Sequence, residues 1–312
     1  MTPTFSIIIP HHNIPRLLER CLASIPQRDD LEVIVIDDNS DPSIVDFQNF
    51  PGANRSDVHV IYSKEGRYAG AARNRGIEAA QGKWLLFADA DDFFTPCLPR
   101  MLDRYADSPH DIIFFHANAL DSELYSPSPL ALLRIRHIEN YYRTYARDPH
   151  AGETLLRYAW GEPWAKLYNA QLIRHNNIRF DTTPIHNDTT FTYLAGHHAR
   201  TIAVDPHCLY CVTYRPGSLS LTVSEPKLLA RVAVFSRKER FIKQHDIHYS
   251  DPIDNEHYAA IADAWHTSTT LYAQALQIAH QSIPNNLHFQ LKSRFFIFKK
   301  IVKRVIGWKR RV

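Results

Sequence analysis

The chain has 312 residues, 45% hydrophobic and 22% charged, with 4 cysteines. This usage excludes a collagen-like or wholly disordered chain, and the cysteines are too few for a disulfide scaffold of this size. Net charge is +3, but residues 282–312 hold nine of the 36 basic residues and no acidic one, leaving 27 against 33, or −6, for the rest. A mildly acidic body with a basic tail suggests an anionic partner for that tail.

The first third reads as alternating strands and helices. Phe5 to Ile9 is a short apolar run ended by Pro10, which suits a buried strand. Ile14 to Ile25 carries Leu17, Leu18, Cys21, Leu22 and Ile25 at helical spacing. Leu31 to Ile36 is a β-branched run ending in Asp37-Asp38-Asn39-Ser40, and Val58 to Tyr62 is a third strand. Ala69 to Ala80 is an alanine-rich helix containing Arg73, with Gly82 as its stop. Trp84 to Ala88 is a fourth strand, ending in Asp89-Ala90-Asp91-Asp92, and Ile112 to Phe115 is a fifth. Residues 122–152, with Pro127, Pro129 and Pro149, read as a looser loop or small insertion. Residues 163–222 read as short strands and turns. Pro226 to Gln244 and Asn255 to Gln281 read as two helices, and Pro284 opens the basic tail.

Strands separated by helices imply right-handed crossovers and an α/β fold with a mainly parallel sheet. Ligands of such sheets sit beyond the carboxyl ends of the strands. Three strands end there in polar clusters: Pro10-His11-His12-Asn13, Asp37 to Ser40, and Asp89 to Asp92. The topology predicts that they share one crevice.

Neighbouring carboxylates repel unless a cation is present, and oxygen-only ligands suit Mg²⁺ or Mn²⁺ shared with substrate phosphates. Asp89-x-Asp91 fits that chemistry, and equally a solvated acidic turn. Asp38 could accept a hydrogen bond from a ribose or base, while Asp41-Pro42 offers a plain helix cap instead. Arg73 could fork onto a phosphate or lie on an exposed helix face. Asp188 could take a proton from an attacking hydroxyl or sit as an acid at a helix N-terminus. Cys208-x-x-Cys211 lacks the second pair of a zinc site and reads as structural thiols.

Taken together, IIIP-x-x-N (from Ile7), VIVIDDNSD, AARNRGI and GKWLLFADADD resemble the family 2 glycosyltransferases with the GT-A fold. EPWAKLYNAQLI, HNDTTF and YRPGSLS continue the resemblance, which spans residues 4–222. It implies a Rossmann-like sheet flanked by helices and a nucleotide-diphosphate sugar donor, a uridine diphosphate sugar first. It assigns Pro10, His12, Asp38, Arg73 and Asp89 to the donor: Asp38 to the base, Arg73 to the nucleotide and Asp89 to the ribose side. It makes Asp91 the ligand of Mn²⁺ or Mg²⁺ and Asp188 the catalytic base of an inverting, single-displacement transfer. The sequence departs from the family at His12, usually tyrosine, at Tyr68, often glycine, and at Asn187, usually glutamate.

The expected organisation is a glycosyltransferase domain over 1–222, divided into a nucleotide-sugar half (1–115) and an acceptor half (116–222). A helical extension (223–281) and a basic amphipathic tail (282–312) follow. In the tail, Phe298, Ile301, Val302, Val305 and Trp308 fall at helical spacing beside lysines and arginines. Residues 292–311 would then rest on an anionic membrane surface, and no nucleic acid is expected. No run of about 20 apolar residues suggests a spanning helix, and the first residues lack a signal-peptide pattern. The expectation is a cytoplasmic protein, peripheral on the inner face of the membrane, using a glycan or lipid-linked acceptor of bacterial surface polysaccharide synthesis, such as capsule or lipopolysaccharide. Two other readings stay open: a haloacid-dehalogenase-like phosphohydrolase using Asp89 and Asp91, and a non-catalytic, membrane-associated glycan-binding protein.

Overall fold

The structure, a computed structural model, describes residues 2–64, 66, 68–127, 129–215 and 224–309. It divides into two compact units, Met1–Thr182 with Asn187–Ser218, and Thr183–His186 with Leu219–Val312.

The first unit is built on β1 (Phe5–His11), β2 (Leu31–Asp38), β3 (Val58–Ser63), β4 (Trp84–Phe87), β5 (Phe93–Phe94), β6 (Ile112–Asp121), β7 (Lys166–Asn169) and β8 (Ile202–Tyr214). They form one sheet in the order β3-β2-β1-β4-β7-β6-β8-β5. The pairs β3-β2, β2-β1, β1-β4 and β6-β8 are parallel, and β4-β7, β7-β6 and β8-β5 are antiparallel. The apolar runs of β1, β2 and β4 are buried throughout, as strands of a covered parallel sheet require. Because β2, β1 and β4 are parallel neighbours, their three polar ends lie on one edge, as the topology predicted.

Strand β1 does not stop at Pro10 but runs on to His11. Its register with β4 ends at Ile8↔Phe87, so the missing N–H of Pro10 costs no ladder bond on that side. Helix α1 (Pro15–Ala23) follows β1, and α2 (Tyr68–Ala79) follows β3. Gly76 lets α2 lie directly on the sheet: a Cβ there would come within 2.3 Å of Ile8 Cγ2. The short α3 (Leu98–Tyr105) precedes β6.

The stretch read as a loose insertion is instead largely helical, in α4 (Pro129–Arg147) and α5 (Pro149–Tyr158). The prolines open these helices rather than break them, since the first turn needs no N–H partner. Asp148 caps α5 by accepting from Ala151 N at 3.1 Å. Helices α6 (Ala170–His175) and α7 (Thr189–His198) complete the unit.

The second unit holds α8 (Glu225–Gln244), α9 (Glu256–Thr267), α10 (Thr269–His280) and α11 (Leu287–Lys309). The single helix expected over 255–281 is split at Ser268, which leaves helical geometry (φ −163°, ψ 157°) and caps α10 through Leu271 N. Leu228, Tyr258, Ile261, Leu271 and Ala275 form this unit's core, and Phe289 of α11 joins it. Among the described residues no helix is long and apolar enough to cross a membrane.

Candidate active site

The loops leaving β1 and β2 are stitched together by polar contacts. His11 Nδ1 meets Asp37 Oδ1 at 2.8 Å, and Asp37 also accepts from Ser40 N (3.0 Å) and Ser40 Oγ (2.6 Å). Burial works to raise the Asp37 pKa, but the bonds from His11 and Ser40 outweigh it and hold the carboxyl below its usual range. Asn13 and Asn39 take left-handed backbone (φ 58° and 60°), which asparagine tolerates at tight turns. The Asn13 N–H donates to Ser40 Oγ, and Asn13 Oδ1 accepts from Asp41 N. His12 Nδ1 lies 2.9 Å from the Asp38 carbonyl. No helix follows Asp41; it closes a turn with Ser43, which removes the helix-cap reading of this cluster. The buried Asp38 is thus the last residue of β2, at the carboxyl end of the sheet and next to a braced loop.

Beyond β4, the acidic turn is held by residues distant in sequence. Tyr210 of β8 accepts from Asp89 N at 2.8 Å and donates to Asp92 Oδ2 at 3.0 Å. Asp92 Oδ1 accepts from Thr213 N at 2.6 Å. The Asp91 carbonyl accepts from Arg20 of α1 at 2.5 Å and from the Thr213 hydroxyl. Burial raises the Asp91 pKa, and the charge of Asp89 raises it further, with Arg215 Nε 3.4 Å away opposing. Asp92 is pushed well up by burial, then by Asp91 and Asp89. The turn therefore concentrates negative charge, an arrangement that a hard cation relieves. Among the described residues no three His, Cys, Asp or Glu side chains cluster as a ligand set. An ion at Asp91 would thus need substrate oxygens or water to fill its shell.

Arg73 links this turn to Asn187, the neighbour of Asp188. Its guanidinium is buried, not on an exposed face. Nη2 donates to Asp89 Oδ1 at 2.5 Å and Nη1 to Asn187 Oδ1 at 2.8 Å. The guanidinium also lies 5.3 Å from the centre of the Phe180 ring. Phe180 and Phe191 stack at 4.0 Å, and both pack edge-on to Phe87, at the end of β4. This aromatic clamp and the arginine bridge bring Asn187-Asp188 beside Asp89. The amide at Asn187, where the family usually has glutamate, accepts one arginine bond and leaves the guanidinium charge opposed there by Asp89.

Asp188 stands just before α7, yet its carboxylate makes no capping bond. A helix N-terminus lowers a carboxyl pKa. Here burial is the largest influence and pushes it up to about 7; Arg73 opposes, and Glu162 and Asp89 add to the rise. Asp188 thus stands at a helix N-terminus, as the alternative reading expects, but its side chain does not cap that helix. Nearby, the Lys166 ammonium donates to the carbonyls of Trp160 (3.0 Å) and Glu162 (2.7 Å) over the Trp160 ring. Burial lowers its pKa to about 7, against the charges of Glu162 and Asp188.

Gly70 sits where α2 touches the loop leading to Asp188. A Cβ there would lie 1.9 Å from the Asp181 carbonyl oxygen and 2.9 Å from Asn187 Cβ. Gly70→Ala should therefore destabilise the protein by about 1–3 kcal/mol in denaturant melts and depress turnover further by shifting Asn187-Asp188. Tyr68, where the family often has glycine, has φ 68°, a conformation costing a side chain about 1–2 kcal/mol.

The structure brings Arg73, Asp89 and Asp188 into one constellation, with Asp91 on the same turn as Asp89 and Pro10, His12 and Asp38 on the same sheet edge. All four cysteines are free thiols, and Cys208 and Cys211 lie within β8. Sequence reading did not single out Tyr210, Thr213, Arg20 or Lys166. Nothing in their local pattern separates them from ordinary strand and helix residues. The YRPGSLS motif is described only at Tyr214 and Arg215.

The chain resembles the uncharacterized glycosyltransferase EpsJ of Bacillus subtilis (strain 168), 26% identical over 234 residues, 73% of this chain and 66% of that protein. In fold it is similar to S. aureus TarS 1-349 in complex with UDP-GlcNAc, with a TM-score of 0.61, 19% identity, and 90% and 82% of the two chains covered. It is likewise similar to the mannosyltransferase PcManGT from Pyrobaculum calidifontis in complex with GDP-Man and Mn²⁺, with a TM-score of 0.53, 16% identity, and 98% and 88% covered. Residues 6–181, more than half of the chain, match the model of Glycosyl transferase family 2, and with its GT-A fold and this strand-end site the chain belongs to that family of glycosyltransferases.

Proposed function

We propose that the protein transfers a sugar, with inversion, from a nucleotide-diphosphate sugar to a hydroxyl of a glycan or lipid-linked acceptor in bacterial surface polysaccharide synthesis. The supporting observation is the Arg73 bridge, which joins the Asp89 strand end to Asn187 beside Asp188. In this reading residues 1–115 hold the donor and 116–222 the acceptor. Pro10, His12 and Asp38 line the base end, Arg73 and Asp89 the ribose and phosphate end.

Asp188 accepts the proton of the acceptor hydroxyl. The acceptor oxygen forms its bond to the anomeric carbon from one face. The bond to the diphosphate oxygen breaks on the other, its electron pair leaving with the nucleoside diphosphate. A carboxylate with a pKa near 7 is a suitable base at neutral pH. Mn²⁺ or Mg²⁺ held by Asp91 would supply charge neutralisation for the departing diphosphate. Arg73 donates through Nη2 to Asp89 and through Nη1 to Asn187, so besides its part at the donor it fixes these two loops relative to each other.

A uridine diphosphate sugar is the first donor to test, in keeping with the UDP-GlcNAc complex of the similar TarS. The GDP-Man complex of PcManGT makes guanosine donors the second. The phosphohydrolase alternative needs a free Asp89 nucleophile, whereas Asp89 is ion-paired with Arg73. The setting we propose is the inner face of the cytoplasmic membrane, approached through residues 292–311.

Screening nucleoside diphosphate sugars for thermal stabilisation tests the donor reading. A donor binding only the folded state at 100 times its Kd adds about 2.7 kcal/mol, a shift of several degrees. The expected result is stabilisation by one donor that grows with Mn²⁺. No stabilisation by any nucleoside diphosphate with Mn²⁺ would overturn the reading and favour a non-catalytic, membrane-associated glycan-binding protein.

A further inference from the structure

Helix α11 has two apolar faces, and only one is covered. Phe289 and Ser293 are buried, and Phe296 packs on the same core, with Tyr258 stacked 6.0 Å away. Lys292 lies over the Tyr258 ring and Lys300 pairs with Asp263, both of α9, so the packed face extends along the helix. The opposite face carries Leu287, Leu291, Phe295, Phe298, Ile301 and Ile306, which are 39% to 70% exposed. At ~100° per residue these six span an arc of about 140°, centred opposite Phe289, Ser293 and Phe296. The stripe read from sequence began at Phe298; the exposed one starts at Leu287, about three turns earlier. Side chains of Val305 and Trp308, and residues 310–312, lie outside what the structure describes.

An apolar strip of this length is not left in water without a use. Its charge surroundings identify what covers it. Residues 287–309 contain Lys292, Arg294, Lys299, Lys300, Lys303, Arg304 and Lys309 and no acidic residue. Arg294, Lys299 and Lys303 are exposed. A second copy laid on this face would bring two such basic helices together and be repelled. An anionic lipid surface meets both demands: acyl chains take the apolar residues, and headgroups take the basic ones, whose long stems reach up from the insertion depth.

We propose that the outer face of α11, from Leu287 to Ile306, inserts in the plane of an anionic bilayer while its inner face stays packed on the second unit. This deepens the membrane setting proposed above and rests on that reading only for its use, the approach to a lipid-linked acceptor.

The test is co-sedimentation of the full chain with phosphatidylcholine vesicles, with and without phosphatidylserine. The expected result is binding to the anionic vesicles, weakened at least about tenfold without phosphatidylserine and weakened by salt. Phe295→Ser with Phe298→Ser should lower partitioning at least about tenfold. Lys299→Glu with Lys303→Glu should lower it comparably, leaving the melting temperature unchanged because these side chains are exposed. Equal binding by either double variant overturns the proposal. So does absence of vesicle binding together with a dimer, measured by light scattering, that the Phe295→Ser/Phe298→Ser chain fails to form. Donor-induced stabilisation of the same variants reports separately on the transferase reading. Vesicle binding without any donor response would refute that reading and leave this one standing.

Discussion

Asp188→Asn should lower sugar transfer about 10²–10⁴-fold while leaving donor-induced thermal stabilisation intact. Asparagine keeps the shape of the side chain and removes its capacity to accept the proton. The pH dependence gives an independent check. Burial holds the Asp188 pKa at about 7, so the protonated form dominates below it and the base is lost. Transfer should fall as pH drops through about 7, and this acid limb should vanish from the residual rate of the variant. Stability carries the opposite sign. A carboxyl whose folded pKa is raised contributes stability below its unfolded pKa, and that contribution is lost as pH rises through about 7. Asparagine mimics the neutral form, so the variant should melt at or above the wild type at pH 8. A residue with a merely structural role would lower the melting temperature and leave the pH profile in place. Undiminished transfer by Asp188→Asn would remove this residue as the base.

Much of the donor side was legible because its signals are local. The β-branched and aromatic runs of β1, β2 and β4 are buried on both faces, so they read as unbroken apolar segments, and their polar ends mark where each strand leaves the sheet. The parallel order then forces those ends together without any knowledge of side-chain contacts. What held the acidic turn was not legible. Tyr210 and Thr213 reach it from 118 or more residues away, through a β8 whose register with β6 shifts at His116. No spacing rule connects such a strand to Asp92. The prolines at 129 and 149 misled for a different reason: a proline that opens a helix and one that breaks it look alike until a cap such as Asp148 is seen in place. For α11, helical spacing identified an apolar stripe but not which side the core would claim. That choice depends on Tyr258 and Asp263, residues of another helix.

Asp91→Ala should lower both transfer and donor hydrolysis, where Asp188→Asn lowers transfer alone. Loss of the charge neutralisation that Mn²⁺ or Mg²⁺ supplies at the diphosphate is worth several kcal/mol, or about 10³-fold in rate. The effect should also be read without turnover. Wild-type protein should melt higher when Mn²⁺ and UDP are added together than with UDP alone, and the variant should show no such difference. The same substitution should act oppositely on the ligand-free protein. Burial and the charge of Asp89 raise the Asp91 pKa, and Asp91 in turn raises that of Asp92. Deleting one of three crowded carboxylates relieves that repulsion, so the ligand-free variant should melt at or above the wild type near neutral pH. The backbone of the turn stays fastened by Tyr210, Thr213 and Arg20, none of which uses the Asp91 carboxylate. A variant that is stable, folded and indifferent to Mn²⁺ would show that this carboxylate is kept at a cost in stability for the sake of the ion. A variant that still gains from Mn²⁺ as much as the wild type would take Asp91 out of that role.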